Sequence, residues 1–147
     1  MNIVLIQHES LPWGEPPPVE ALTALARLTQ TGFRLILVAT SAGTMETPRA
    51  DYARLQHQLA RLGGRAEAMF FCAHGRPDRC GCRAPDYNLL DEAVLRLRAV
   101  VSDVHALGDE AFVAAASRRG VIPHPLEGLD RQADICAVAD YLLTGEQ

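Results

Sequence analysis

Short apolar runs alternate along this chain with longer segments in which apolar residues recur every three or four positions. Residues 2–6 (NIVLI), 33–39 (FRLILVA), 66–71, 104–107 and 121–122 read as strands. Between them, Val19, Leu22, Ala26 and Thr29 mark a helical stripe ending at Gly32. A second helix opens at Pro48, carries Tyr52, Leu55, Leu59 and Leu62, and stops at Gly63-Gly64. Leu90, Ala93, Val94 and Leu97 form a third stripe, and Phe112, Val113 and Ala116 a fourth, closed by Gly120. A last helix spans 130–143. The strands are apolar on both faces, which predicts a parallel sheet covered by helices on two sides and joined by right-handed crossovers. The fold class is therefore α/β: a three-layer α/β/α sandwich with a Rossmann-like sheet, expected as one domain over 1–147. Ligands bind such sheets at the carboxyl ends of the strands. That places candidate site residues in the loops 7–17, 40–47, 72–86 and 108–110.

Composition narrows the function classes. Apolar residues make up 48% of the 147 and charged residues 22%, which suits a packed globular chain. The net charge of −4 opposes general nucleic-acid binding, which needs a basic surface. No apolar run approaches the ~20 residues of a membrane span, and no secretory signal is visible. A cytoplasmic location is the expectation. All 14 cationic residues are arginine, so any lysine chemistry is excluded.

Three of the four cysteines cluster as Cys72-x-His74-x5-Cys80-x-Cys82. Zinc takes four such ligands in a tetrahedron, and Gly75, Pro77 and Gly81 supply the turns to wrap it. The set Cys72, His74, Cys80 and Cys82 predicts a closed, structural zinc site. Free thiols and a disulfide are the alternative readings. Cys80 and Cys82 are too close for a comfortable mutual bridge. Cys136, among Ile135, Ala137 and Val138, reads as a small core hydrophobe.

The stretch Cys72-x-His74 … Cys80-x-Cys82-Arg83-x-Pro85, following Phe70-Phe71, resembles the zinc loop of the haloacid dehalogenase superfamily. More narrowly, it resembles the subgroup of heptose-bisphosphate and histidinol-phosphate phosphatases. Val19 to Leu35 and Ala106-Leu107-Gly108-Asp109 fit the same family, so the resemblance covers essentially the whole chain. It implies a core with little or no cap domain. It also implies a chemistry: an aspartate nucleophile after the first strand and an acid/base aspartate two residues on. A hydroxyl and a lysine hold the phosphoryl oxygens, and acidic residues after the fourth strand help to hold magnesium.

Carried onto this chain, the resemblance puts Gln7 at the nucleophile, Glu9 at the acid/base and Ser10 at the following glycine. Ala39 falls at the phosphate-binding hydroxyl, with Thr40 and Ser41 as neighbouring candidates. Ala84 falls at the lysine, beside a retained Arg83. Asp109 keeps the first acid of the last motif, while Val113 replaces the second, with Glu110 nearby. The degenerate positions are thus Gln7, Glu9, Ala39 and Ala84, with Asp109 kept, and the magnesium site is expected weak or lost.

Three functions follow. The chain is a phosphatase-like protein that binds a phosphorylated small molecule or a protein partner without turnover. Alternatively it is an active sugar-phosphate phosphomonoesterase with a rearranged site built on Glu9 and Asp109, or a zinc-stabilised interaction module. Among the remaining residues, His8 and Glu9 are expected to point opposite ways from a strand end. Trp13 and the run 15–18 read as a stiff helix entry or a partner surface. Arg76, Arg79 and Arg83 read either as a phosphate grip or as solvated loop arginines. His57 and His105 read as structural or surface residues, and His124 has no evident partner.

Overall fold

In a computed structural model of the protein, described residues are 2–12, 17–40, 46–71, 87–126, 128 and 130–144. Five parallel strands, β1 (Ile3–Gln7), β2 (Arg34–Ala39), β3 (Ala68–Phe71), β4 (Val104–Gly108) and β5 (Ile122–Pro125), form a sheet in the order β3-β2-β1-β4-β5. The helices are α1 (Val19–Gln30), α2 (Glu46–Arg61), α3 (Leu89–Leu97), α4 (Glu110–Arg118) and α5 (Arg131–Thr144).

The double-sided hydrophobicity of the strands sets the layers. Val4, Ile6, Leu35, Leu37 and Leu107 face one way, against Leu22 and Leu25 of α1, Leu55 and Leu59 of α2 and Ile135 of α5. Ile3, Leu5, Ile36, Val38, Val104 and Ala106 face the other way, against Leu90 of α3 and Phe112 and Ala116 of α4. Burying a leucine-sized side chain contributes roughly 1.5–3 kcal/mol, and every residue of the central strand β1 is buried. The Cys136 side chain packs, half-buried, against the first of these layers, in line with its reading as a core hydrophobe.

The chain winds from β1 out to β3 and then returns to β4 on the far side of β1. Strand order therefore reverses between β1 and β4, the position at whose carboxyl ends open sheets of this kind take their ligands. Gln7 ends β1 and Gly108 ends β4 at this point.

Three elements differ from the sequence reading. Residues His8–Ser10 form a 3-10 turn instead of open loop. Helix α2 begins at Glu46, two residues before Pro48, which the first turn tolerates. β5 runs through Pro123 and Pro125, beyond the expected Val121 and Ile122. Prolines fit there because β5 is an edge strand, where absent N–H groups cost no ladder bonds on the open side. No helix among the described residues is long and apolar enough to cross a membrane.

Candidate functional site

Gln7 is buried at the carboxyl end of β1, with 2% of its surface exposed. Its Nε2 donates to Thr40 Oγ1 and to Asp109 Oδ2, each at 3.1 Å. Its Oε1 accepts from Ser10 Oγ at 2.6 Å and from the Asp109 amide at 2.8 Å. A primary amide has two donors and one oxygen with two lone pairs, so all four positions of Gln7 are used. The partners also fix its orientation. The Asp109 N–H can only donate and the Asp109 carboxylate can only accept, so the oxygen faces the first and the nitrogen the second.

Asp109 is the N-cap of α4, its Oδ1 accepting from the Phe112 amide at 2.9 Å. Gly108 permits the close approach of β4 to Gln7. A Cβ there would lie 2.6 Å from Phe112 Cδ2 and 2.7 Å from Gln7 Oε1. On the opposite side, Phe112 packs edge-on to Tyr87 with ring centroids 5.8 Å apart.

A second set of bonds runs from Thr40 to α2. Glu9 Oε1 accepts from the Thr40 hydroxyl at 2.7 Å and from the Thr40 amide at 3.0 Å. Glu9 Oε2 lies 3.1 Å from His8 Nδ1, and His8 Nε2 lies 2.9 Å from Asp51 Oδ2. Arg54 donates to the other Asp51 oxygen at 3.1 Å. Burial alone would push the Glu9 carboxyl up, but the bonds from His8 and Thr40 outweigh it and hold the group at about 2. Burial also opposes the His8 imidazolium, and the bonds to Glu9 and Asp51 outweigh it, raising His8 above its ordinary value. Burial raises the Tyr87 phenol, reinforced by the charges of Asp109 and Glu9.

The expected divergence of His8 and Glu9 is corrected by this geometry. Strand alternation does not apply to the 3-10 turn, which curls the two side chains together. Gln7, Glu9, Thr40 and Asp109 are brought into one network, as loop placement at the strand ends predicts. Ala39 is buried at the end of β2, one residue before Thr40, and carries no polar group into the network. Val113 is buried against the Phe112 layer. Cys72, His74, Cys80, Cys82, Arg83, Ala84 and Ser41 lie outside the described residues, as do Trp13, Arg76 and Arg79. Among the described residues, no group of three or more His, Cys, Asp and Glu side chains is arranged to hold a metal ion.

Asp51 and Tyr87 were not anticipated at this site, and Ser10, placed there only as the counterpart of a glycine, supplies a hydroxyl to Gln7. Asp51 had a legible signal: it shares the four-residue spacing of Leu55 and Leu59, the buried stripe of α2, within the first turns of that helix. A helix that follows β2 starts at the carboxyl end of the sheet, so a polar residue on that stripe meets the site.

No protein-family model matches the sequence. The D-glycero-β-D-manno-heptose-1,7-bisphosphate 7-phosphatase of Bordetella bronchiseptica is 31% identical over 145 residues, spanning 84% of this chain and 81% of that protein. The enzyme of the same name from Pseudomonas aeruginosa is 27% identical over 108 residues, covering 69% of this chain and 61% of the relative. Over the Neisseria meningitidis serogroup A enzyme, 27% identity extends across 99 residues, and the match spans about half (53%) of that relative. In structure, the chain superposes on the heptose bisphosphate phosphatase of B. bronchiseptica, solved with magnesium and phosphate, with a TM-score of 0.80. That superposition covers 99% of both chains at 24% identity. The core domain of a phosphoglycolate phosphatase homologue from Streptococcus pneumoniae shares the fold at a TM-score of 0.54 and 12% identity, over 95% of each chain.

Proposed function

The chain belongs to the D-glycero-β-D-manno-heptose-1,7-bisphosphate 7-phosphatase family of the haloacid dehalogenase superfamily, and we propose that within it this protein binds without turning over. Its ligand in this reading is a phosphorylated small molecule or a protein partner. The observation that carries the proposal is the Gln7 amide, saturated by four hydrogen bonds where the family places its attacking carboxylate. The lone pair of the amide nitrogen is delocalised into the carbonyl and does not attack phosphorus, its two N–H groups being held by Thr40 and Asp109, and an amide oxygen forms no stable acyl-phosphate.

The residues also do not fit the magnesium that the family implies. Magnesium wants an octahedron of oxygens, commonly carboxylates. Here an N–H donor of Gln7 points at Asp109 Oδ2, the oxygen a cation would use, and Asp109 Oδ1 caps α4. The acid/base role is equally opposed, because a Glu9 carboxyl held at about 2 carries no proton near neutrality to give to a leaving oxygen.

The described part of the site holds the carboxylates Glu9, Asp51 and Asp109 against His8 and Arg54. In this reading a phosphate ligand draws its positive charge from Arg76, Arg79 and Arg83, beside a structural zinc held by Cys72, His74, Cys80 and Cys82. The test is a magnesium-dependent phosphatase assay on heptose 1,7-bisphosphate and a generic aryl phosphate, paired with calorimetric binding. We expect no turnover in the wild type. Gln7→Asp with Glu9→Asp gives little, and adding Ala39→Thr and Ala84→Lys raises activity far more than additively, since these groups act as a unit. Wild-type turnover that survives Gln7→Ala and vanishes in Glu9→Ala would replace this reading with an active, rearranged phosphomonoesterase.

A further inference from the structure

Away from Gln7, the pairing of β4 with β5 brings two imidazoles together. His105 and His124 occupy one face of the sheet on adjacent strands, His105 opposite Ile122 and His124 opposite Leu107. His105 Nδ1 and His124 Nε2 lie 3.0 Å apart, with ring centroids separated by 5.2 Å. Phe33 packs against the His105 ring at 6.3 Å and Tyr141 of α5 against the His124 ring at 6.0 Å. Both histidines are half-buried, so solvent reaches the pair.

Two imidazole nitrogens facing at this distance either share a hydrogen or share a metal. Nitrogens bound to one divalent ion at ~2.0–2.1 Å sit about 2.9 Å apart at right angles and about 3.3 Å apart in a tetrahedron, a range that brackets the observed spacing of 3.0 Å. Metal ligation also requires neutral rings. Burial pushes His124 down to about 4, with His105 adding to the effect. Burial lowers His105 as well, and the Asp103 carboxylate partly offsets it. Both rings are thus biased toward the neutral form, and the Asp103 carboxylate is close enough to His105 to attract a cation.

We propose that His105 and His124 form a two-point binding site for a borderline divalent transition-metal ion, of the zinc, nickel or copper class, that fastens edge strand β5 to β4. On binding, the ring that donates the shared hydrogen moves it to its other nitrogen. Both facing nitrogens then present lone pairs, and no proton is released. Water fills the remaining coordination positions, since no third ligating side chain joins the pair among the described residues. Imidazole selects these metals over magnesium or calcium, which prefer oxygen.

Nickel is the probe, applied to the whole 147-residue chain carrying one equivalent of zinc, so that the cysteine loop is not the acceptor. Imidazole NMR spectra of the unmodified chain are recorded through the titration. The signals of His105 and His124 should broaden at substoichiometric nickel while exposed His57 persists. By calorimetry, His105→Asn and His124→Asn should each bind at least tenfold more weakly, and His57→Asn should bind as wild type does. Sharp His105 and His124 signals at millimolar nickel, or unchanged affinity in both variants, would overturn the site. Neither result depends on phosphatase activity.

Discussion

A single buried amide organises the strand-end network at the residue scale. Gln7 and Glu differ by one NH2 group replaced by an oxygen, yet Nε2 is the atom that joins Thr40 Oγ1 and Asp109 Oδ2. Gln7→Glu would set a second carboxylate oxygen about where that nitrogen lies, 3.1 Å from Asp109 Oδ2. We expect a loss of about 2–4 kcal/mol at neutral pH, from an unpaired buried charge and two lost donors. Acidification or millimolar magnesium should recover part of it. Urea denaturation with and without the ion is the measurement, and a variant as stable as wild type would show that the two Nε2 bonds of Gln7 do not hold the site together. Gly108 belongs to the same contact. Gly108→Ala forces a Cβ against Phe112 and Gln7, at 2.6 and 2.7 Å before relaxation. It should lower stability by roughly 1–3 kcal/mol in thermal melts.

Elements respond to pH with opposite signs. His105 and His124 join β4 to β5, and both are pushed down, His124 to about 4. A histidine held neutral in the fold takes up a proton more readily when unfolded. Its contribution is complete above the ordinary value near ~6.5 and is lost as pH falls toward 4. His8, raised between Glu9 and Asp51, does the reverse. The tie it makes from the 3-10 turn to α2 is fully present below about 6.5 and weakens as pH rises through its raised value. Glu9 adds stability that is complete above its ordinary value of 4.5 and is lost progressively as pH falls from there through about 2. Between pH 6.5 and 4 the His105–His124 pair therefore dominates among these groups, and stability should fall by roughly 1–2 kcal/mol after allowing for partial exposure. Denaturation midpoints across that window should show the slope in wild type, and His124→Asn should flatten it.

For the whole molecule, metal content is the informative measurement. The spacing of Cys72, His74, Cys80 and Cys82 predicts one zinc per chain in protein purified without added metal, and chelation or Cys80→Ser should lower the unfolding midpoint. Well under one zinc per chain would remove that reading. Much of the architecture was legible in residue order alone. Strands apolar on both faces, such as Ile3–Gln7 and Arg34–Ala39, have to be buried between two helical layers, and alternation with helical stripes implies a parallel sheet. The glutamine at position 7 and the absence of lysine are equally facts of sequence, because no folding supplies a side chain the chain lacks. Tertiary structure decided which side chains meet. The 3-10 turn set His8 beside Glu9 against strand alternation, and the start of α2 brought Asp51 from position 51 to position 8. The pairing of β4 with β5 gave His124 the partner in His105 that no local pattern announces, 19 residues away in sequence. Periodicity reports which face of an element is buried; contacts between elements depend on register and strand order, which are set only when the sheet assembles.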